Sequence, residues 1–367
     1  MNAAYIKDRP EVSLLGDKVI IDTSLPSYDP SSLKPDQVLI NVKASSMNID
    51  DLHLAEGTFL GGMPGLQTNE PTPTKPLVLG SDFAGVVVAV GSKVAGGDSL
   101  QVGQRVCGLN ARMLGHAGTW ADYTVSTAKD HVVPIPDHVS FVEAAALLMP
   151  LHVIHGLIEA AKFEESSAGA GDQSRVLVIG ASGGIGSTFI PVLRHLYPEL
   201  YIVGVCSGRN TDFVKELGAT DVIDYTKGPI EDGLEKGTFD IIFDLMGGEK
   251  AHSSGKVILK PKGRYLTSVG PLEWIGDKKL SVYEKVSWVS KVLRNAIMNS
   301  IPGSHAYYNL VVPTELDSEF YQLIFKSEVR SHVAYTFPLE KEEIVKAIDL
   351  IQSHRTRGKV VLTINNK

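Results

Sequence analysis

One short segment constrains the fold of this chain more than any other: the run Gly180-Ala181-Ser182-Gly183-Gly184-Ile185-Gly186. It directly follows the apolar stretch 175–179, which predicts a β-strand, and it precedes a segment with a helical pattern. A strand, a glycine-rich turn, a helix and a second strand in this order are typical of a βαβ unit that binds a dinucleotide. The turn therefore predicts a parallel sheet with helices on its faces.

The three key positions of the turn meet the physical requirements of the pattern G-x-G-x-x-G. The three key slots hold Ala181, Gly183 and Gly186, and the first slot requires only a small residue. Glycine in the second slot lets the backbone approach a pyrophosphate, and glycine in the third lets the helix pack close to the strand. The helix N-terminus favours the phosphate charge. We predict that the cofactor is bound by Ala181, Ser182, Gly183, Gly184, Ile185 and Gly186.

The residues after the second strand predict which dinucleotide is bound. In NAD enzymes, an acidic residue about 20 positions after the last glycine binds the ribose 2′-hydroxyl. Here that position is the uncharged Cys206, with Ser207 and Arg209 close behind it. A missing carboxylate removes repulsion against a 2′-phosphate, and a hydroxyl and a guanidinium supply donors and positive charge. The sequence therefore favours NADPH over NADH.

The two halves of the chain have different patterns, because short strands dominate before residue 150 and strands alternate with helices after residue 174. The predicted strands are Lys18–Asp22, Gln37–Val42, Asp82–Val90, Arg105–Leu109, Trp120–Val125, Arg175–Ile179, Tyr201–Val205, Asp221–Asp224, Phe239–Leu245, Arg264–Val269 and Lys359–Ile364. The predicted helices are Ser140–Leu148, which begins with a capping box, Thr211–Leu217 and Glu340–Ser353. Residues 57–76 predict a long loop, of the kind that often forms a lid.

Charge and composition exclude several classes of protein. The chain has 35 Lys and Arg against 42 Asp and Glu and no basic block. The clustered positive charge that nucleic-acid-binding proteins use is therefore missing, and this class is excluded. We expect no transmembrane segment, because no apolar run approaches about 20 residues. The first ten residues resemble no targeting signal. The two cysteines, Cys107 and Cys206, exclude a disulfide framework. We expect a cytoplasmic protein.

Motifs spread over nearly the whole chain share one family pattern. They are Asn48-Ile49-Asp50-Asp51 with Gly57, Leu79-Gly80-Ser81-Asp82-Phe83-Ala84-Gly85-Val86-Val87, Ala144–Leu147 with Pro150, the stretch from Arg209 to Tyr225, Asp244-Leu245-Met246-Gly247-Gly248, Ser268-Val269-Gly270 and Gly358-Lys359-Val360-Val361. In this combination the chain resembles the zinc-free quinone oxidoreductase (zeta-crystallin-like) branch of the medium-chain dehydrogenase/reductase superfamily.

This resemblance implies an α/β fold with two domains. A GroES-like, β-rich catalytic domain is expected from residues 1–150 and 331–367, and a Rossmann domain with a doubly wound parallel sheet from residues 151–330. The resemblance further implies that NADPH binds in a cleft between the two halves, that a quinone or an α,β-unsaturated carbonyl is reduced, and that the protein is a homodimer.

The resemblance also assigns residues to the site. Tyr225 lies in the stretch that selects the cofactor, and Lys359 lies in the closing strand, where we expect it to bind the cofactor. Asp51 and Phe59 are expected in the substrate pocket, where Phe59 replaces a tyrosine that many relatives carry. The turns that flank the nicotinamide are expected to contribute Gly247, Ser268, Val269 and Gly270.

The candidates for catalysis are His155, Asn48 and His53. Reduction of a conjugated carbonyl develops negative charge on oxygen, which Asn48, His155 or backbone amides could stabilise by hydrogen bonds. The proton comes from His155, His53 or water, and histidine titrates near neutral pH. A His155 that only packs or hydrogen-bonds in the pocket remains an equally open interpretation.

No metal is expected. Zinc dehydrogenases of the superfamily carry Gly-His-Glu where this chain has Gly80-Ser81-Asp82, and they carry a cysteine near Asn48 that is missing here. A catalytic zinc needs three protein ligands, and His152 and His155 lack a third.

Two other functions remain open. One is reduction of 2-enoyl thioesters, which a basic groove would support; residues 272–295 hold five Lys and Arg, but these are interleaved with apolar residues. The other is an NADPH-binding protein with little turnover.

Overall fold

The computed structural model describes residues 1–58, 70–95, 100–110, 118–129, 131–163, 173–270, 278–300, 308–311 and 315–364. Contacts divide the chain into two compact units. The first comprises Met1–Met149, Gly276–Lys279 and Glu315–Lys367, and the second comprises Pro150–Ile275 and Leu280–Thr314.

The described residues form both strands and helices. In chain order the strands are β1 (Ala3–Ile6), β2 (Ile20–Asp22), β3 (Gln37–Met47), β4 (Leu77–Val78), β5 (Asp82–Val90), β6 (Arg105–Leu109), β7 (Tyr123–Thr127), β8 (Val132–Pro134), β9 (Arg175–Ile179), β10 (Tyr201–Cys206), β11 (Asp221–Asp224), β12 (Phe239–Asp244), β13 (Leu259–Thr267), β14 (Tyr308–Leu310), β15 (Val333–Pro338) and β16 (Lys359–Thr363). The α-helices are α1 (Leu15–Lys18), α2 (Ile49–Glu56), α3 (Ser92–Ala95), α4 (Phe141–Ala161), α5 (Gly186–Leu196), α6 (Thr211–Glu216), α7 (Glu249–Ile258), α8 (Val282–Ser300), α9 (Ser318–Phe325) and α10 (Lys341–Gln352).

The first unit is built on a mainly antiparallel sheet in the order β15-β16-β3-β5-β6-β8, with β7 also paired to β3. A second sheet has the order β2-β1-β4. Alternate residues of β3, such as Val38, Ile40 and Val42, are fully buried because they share one face of the strand. Helix α10 buries Ile344 and Ile348, four residues apart, in the same core.

The second unit confirms the predicted Rossmann architecture. Its six strands have the order β11-β10-β9-β12-β13-β14, and every neighbouring pair is parallel. The order reverses between β9 and β12, and in open α/β sheets ligands bind at the carboxyl ends of the strands at such a point. The glycine-rich turn leads from β9 into α5, so it lies at this position.

Helix α4 joins the predicted segment Ser140–Leu148 to the part of the chain that carries His152 and His155. The capping box is present, with the Glu143 amide donating to Ser140 Oγ and the Ser140 amide donating to the Glu143 carboxylate. The helix then continues past Pro150 to Ala161. By length and composition it is the one described helix that could cross a membrane, but most of its apolar window is buried inside the protein.

Residues 315–330 also differ from the predicted domain division, which placed them in the Rossmann domain. They group with the first unit because α9 is tied to that unit. The Tyr321 hydroxyl donates to the Leu148 carbonyl at 2.7 Å, and Gln322 donates to the Pro134 carbonyl at 2.8 Å. Both acceptors lie far away in the sequence, so the local pattern of α9 does not reveal this packing.

We predict that Gly186→Ala destabilises the second unit whereas Gly183→Ala does not. A Cβ at Gly186 would lie 2.3 Å from the Gly180 carbonyl oxygen and 2.8 Å from Ala181 Cα, so the backbone must shift. A Cβ at Gly183 would only touch the Gly180 oxygen at 3.4 Å. Overpacking of this kind costs about 1–3 kcal/mol. Urea unfolding of the two variants checks this; equal stabilities would contradict it.

Candidate functional site

Three turns come together at the carboxyl ends of β9, β12 and β13 in the second unit. A Cβ on Gly180, after β9, would lie 3.1 Å from the Met246 side chain after β12. The Gly248 amide, also after β12, donates to the Gly270 carbonyl after β13 at 3.2 Å. The structure thus brings the glycine-rich turn together with both turns that are expected to flank a nicotinamide.

The glycine-rich turn is held by its own backbone. The Ala181 amide donates to the Val205 carbonyl of β10 at 3.1 Å, and the Gly183 amide donates to the Gly180 carbonyl at 3.1 Å. The close approach of α5 to β9 uses the missing side chain of Gly186, whereas the space at Gly183 is open apart from one ordinary contact. A phosphate group can approach the backbone only where such space exists, so this turn fits a dinucleotide.

The turn after β12 is shaped by a buried carboxylate. Asp244 Oδ1 accepts hydrogen bonds from the Met246 and Gly247 amides at 3.0 and 2.9 Å, and Oδ2 accepts one from the Tyr265 hydroxyl at 2.8 Å. Burial raises the pKa of Asp244, and these three donors oppose the rise. Asp244 therefore positions Gly247, a role that the sequence analysis did not assign.

The turn after β13 is shaped by a threonine in a similar way. Thr267 Oγ1 accepts hydrogen bonds from the Val269 and Gly270 amides at 3.2 and 3.1 Å. The Ser268 amide donates to the Asp244 carbonyl at 3.2 Å. Side chains at the ends of β12 and β13 thus hold the backbone of both turns through hydrogen bonds.

The loop after β10 holds the residues that are predicted to select the cofactor. Ser207 is half-buried, Arg209 is exposed, and Tyr225 follows the neighbouring strand β11 with more than half of its surface exposed. The buried Asn210 donates to Ser182 Oγ at 3.0 Å and lies 3.4 Å from Ser207 Oγ. Asn210 thereby fixes this loop to the glycine-rich turn, and the sequence analysis did not include it among the site residues.

The same loop carries a carboxylate that the sequence analysis missed. Asp224 lies opposite Cys206 in the parallel pair β10–β11, and a Cβ on Gly208 would lie 2.4 Å from Asp224 Oδ2. Asp224 accepts hydrogen bonds from the Thr226 hydroxyl and amide, and these contacts, with the Gly208 amide, lower the pKa of Asp224. The carboxylate is therefore ionised and engaged with the backbone of this loop.

The first unit contains a buried cluster of charged and polar groups around Asn48. Lys359 Nζ donates to Asn48 Oδ1 at 2.6 Å, and Asn48 Nδ2 donates to Asp82 Oδ2 at 2.9 Å. The Asn48 amide donates to Asp51 Oδ2 at 2.9 Å as part of the capping box of α2. The Ser46 amide donates to Asp82 Oδ1 at 2.6 Å, and its hydroxyl donates to Oδ2.

Burial controls the charges of this cluster. Burial, together with the neighbouring negative charge of Asp82, raises the pKa of Asp51 to about 7. Burial also raises the pKa of Asp82, although the Lys359 ammonium opposes that rise. The same burial lowers the pKa of Lys359. Near neutral pH the cluster therefore exchanges a proton at Asp51 more readily than an ordinary aspartate does.

The predicted site residues are distributed over both units. Asn48, Asp51 and Lys359 meet in the cluster of the first unit. Lys359 therefore lies beside the candidate catalytic residue Asn48, and its contact with the cofactor stays a prediction. His53 lies on α2 and is buried; it lines a small cavity with Glu56, Gln352 and His354.

The other candidate residues lie elsewhere. The half-buried His155 lies on the part of α4 that belongs to the second unit. Phe59 and most of the predicted lid lie outside the described residues.

The sequence predicts no metal site. Within the described residues, no three side chains of His, Cys, Asp or Glu come together in a way that could hold a metal ion. Both carboxylate oxygens of Asp82, which stands where zinc enzymes carry a glutamate, accept hydrogen bonds inside the cluster. The absence of a metal stays a prediction.

We predict that Asp51→Asn stabilises the protein at pH 8 but not at pH 4. The unfolded carboxyl titrates near pH 3.9, whereas folding raises the pKa of Asp51 to about 7. The folded state therefore binds more protons between these values, and the free energy of unfolding falls as the pH rises through this window. Asparagine at position 51 does not titrate, so the variant keeps the stability that the parent protein loses as the pH rises. Thermal unfolding from pH 4 to pH 8 checks this, with Asp50→Asn, an exposed neighbour, as the control; equal pH profiles of Asp51→Asn and the parent would contradict it.

Both units match family models. A model described as "Alcohol dehydrogenase GroES-like domain" matches residues 34–137, and a model described as "Zinc-binding dehydrogenase" matches residues 217–362. The first match confirms the predicted GroES-like domain, and the second lies largely on the parallel sheet and the closing strand.

Individual proteins are similar over different lengths. The chain is 28% identical over 355 residues to a zinc-type alcohol dehydrogenase-like protein of Schizosaccharomyces pombe, with 94% of this chain and 92% of the relative covered. It is 34% identical over 220 residues to "NADPH-dependent alkenal/one oxidoreductase, chloroplastic" of Arabidopsis thaliana, covering 59% of this chain and 51% of the relative.

A solved structure extends the similarity to the whole fold. The quinone oxidoreductase from Coxiella burnetii superimposes with a TM-score of 0.74 at 22% identity, covering 100% of this chain and 99% of that chain. Together with the motifs, the two family models place the chain in the medium-chain dehydrogenase/reductase superfamily, and the solved structure, at 22% identity, shows that the fold is shared.

Proposed function

We propose that this protein is a zinc-independent oxidoreductase that uses NADPH to reduce a quinone or an α,β-unsaturated carbonyl in the cytoplasm. The observation that carries the proposal is the arrangement of three preformed turns at the carboxyl ends of β9, β12 and β13. The Arabidopsis relative, whose name states an NADPH-dependent alkenal/one oxidoreductase, supports the cofactor and the substrate class.

The choice of NADPH rests on the loop after β10. Ser207 and Arg209 offer a hydroxyl and a positive charge to a 2′-phosphate, and the exposed Tyr225 ring lies on the neighbouring strand. The Asp224 carboxylate lies against this loop, and its Oδ1 accepts two hydrogen bonds from Thr226. Asn210 keeps the loop next to the glycine-rich turn, so one rigid surface would receive both phosphate groups.

The other residues have roles in orientation and proton transfer. When bound, NADPH supplies the hydride. Gly247 and Ser268–Gly270 would hold the nicotinamide, because their backbone is fixed by Asp244 and Thr267. Holding two reactants in one geometry is a large part of catalysis by cofactor enzymes.

The proton and the stabilising hydrogen bonds must come from the chain or from water. We assign His155 as the proton donor and keep His53 and water as alternatives. The side-chain amide of Asn48 already donates to Asp82 and accepts from Lys359. Asn48 therefore acts in this proposal as a positioning residue rather than as a donor to the developing oxyanion.

Turnover with a panel of acceptors tests the proposed activity. NADPH oxidation is measured with quinones, enones and 2-enoyl thioesters, and we expect a quinone or an enone to be the fastest. Preference for the thioesters would contradict the substrate class, and tight NADPH binding without turnover would contradict the activity.

We also propose a homodimer, for which equilibrium sedimentation gives the mass.

We predict that Arg209→Gln weakens NADPH binding by at least tenfold and leaves NADH binding unchanged. A hydrogen bond to a charged group contributes about 1.5–3 kcal/mol, and only NADPH carries the 2′-phosphate. Calorimetric titration with both cofactors measures the change. Lys215→Gln, at an exposed cation on α6, is the control and should alter neither affinity. A parallel loss for NADH and NADPH would exclude the assigned role.

We predict that His155→Ala lowers the single-turnover rate of hydride transfer at least tenfold without weakening NADPH binding. General acid catalysis typically contributes about 10²–10⁴-fold. The measurement uses the fastest enone and folded protein at matched pH, with His195→Ala, an exposed histidine on α5, as the control. An unchanged rate would exclude His155 as the proton donor and leave water or His53 in that role.

A further inference from the structure

Helix α8 presents an apolar stripe to solvent. The large apolar side chains of this helix that are exposed, by 39% to 82%, are Val282, Tyr283, Val286, Val289, Leu293 and Ile297. Apart from Tyr283, they recur every three or four residues, so they fall on one face of the helix. Single exposed apolar residues are ordinary, but a continuous row on one element marks an interaction surface.

The opposite side of α8 faces the rest of the second unit, which includes α7 and the turn after β13, and it is more polar. Lys291 forms a salt bridge with Glu249 of α7, and the Trp288 indole lies beside Gly270, where a Cβ would be 3.3 Å from its nitrogen. A surface helix of a soluble protein normally turns its apolar face inward. In α8 this arrangement is reversed, so the stripe does not contribute to the core of the unit.

The charges around the stripe indicate what covers it. With 3.6 residues per turn, the exposed Arg294 lies along one margin and the half-buried Lys285 lies along the other. Glu284, the one acidic residue in the helix sequence, is used in a capping box with Ser281. An apolar stripe with cationic margins is the pattern of helices that lie in the interface of an anionic membrane.

We propose that α8 docks this protein onto an anionic lipid surface. The stripe enters the boundary between headgroups and acyl chains, and Arg294 and Lys285 contact lipid phosphates. The helix has 19 residues and is about 28 Å long at 1.5 Å per residue, so it lies along the surface. The cations at the margins favour lipid phosphates as the occupant, and a second copy of the chain is the alternative that the experiment below distinguishes.

The overall charge of −7 shapes the expected behaviour. A protein with this net charge is repelled at long range by an anionic surface, so binding depends on apolar insertion and on the local cations together. We expect reversible association that weakens as salt screens the local cations. Docking through α8 does not depend on the proposed enzymatic activity.

Vesicle flotation of the full chain tests this proposal. Vesicles of phosphatidylcholine alone are compared with vesicles that also contain phosphatidylserine. We expect the parent protein to float with the anionic vesicles and the double variant Val286→Ser/Leu293→Ser to lose at least tenfold in binding. Arg294→Gln should lose severalfold and show a weaker dependence on salt.

The control is the double variant Val88→Ser/Leu323→Ser, which removes exposed apolar residues of the first unit and should bind as the parent does. The unfolding temperature of each variant shows that it is folded. Absence of flotation by the parent, or equal flotation of the α8 variant, would overturn the proposal. Dissociation of a dimer by the α8 variant without any vesicle binding would also overturn it, in favour of a second copy.

Discussion

The candidate site depends first on the close approach of α5 to β9. Two backbone segments can meet at Gly186 only because no side chain stands between them, since a Cβ would lie 2.3 Å from the Gly180 oxygen. This approach places the N-terminus of α5 at the carboxyl ends of the strands, next to the position between β9 and β12 where the strand order reverses. The turns after β12 and β13 reach the same edge, so the sheet topology gathers three chemically useful turns at one place.

The buried cluster of the first unit follows a different principle. Lys359 and Asp82 are both removed from water, and the Asn48 amide joins them by accepting from one and donating to the other. Breaking one partner of such a group leaves a buried charge without compensation, which is strongly destabilising. Asp51, which accepts a hydrogen bond from the Asn48 backbone amide, has a carboxyl whose pKa burial and the charge of Asp82 raise to about 7. The cluster thereby holds rigid the segment that begins with Asn48 and leads into α2.

Local features of the chain were predictable, and distant ones were not. The turn from Gly180 to Gly186 and strands such as β5 and β9 were predicted because composition and spacing within a few residues decide them. The role of Asp224 depends on the register between β10 and β11, and the contact of Lys359 with Asn48 joins residues 311 positions apart. Helices α7 and α9 were missed. In α8 the apolar face points outward, so its pattern does not indicate burial.

Binding of NADPH to the parent protein and to Gly183→Ala tests the central claim most directly. The account predicts that a methyl group at this position blocks the approach of the pyrophosphate, because the space at Gly183 is otherwise open. Titration calorimetry should therefore show tight binding by the parent and at least a tenfold loss in the variant, at an unchanged unfolding temperature. Equal affinities in the two proteins would contradict the assignment of the dinucleotide to this turn.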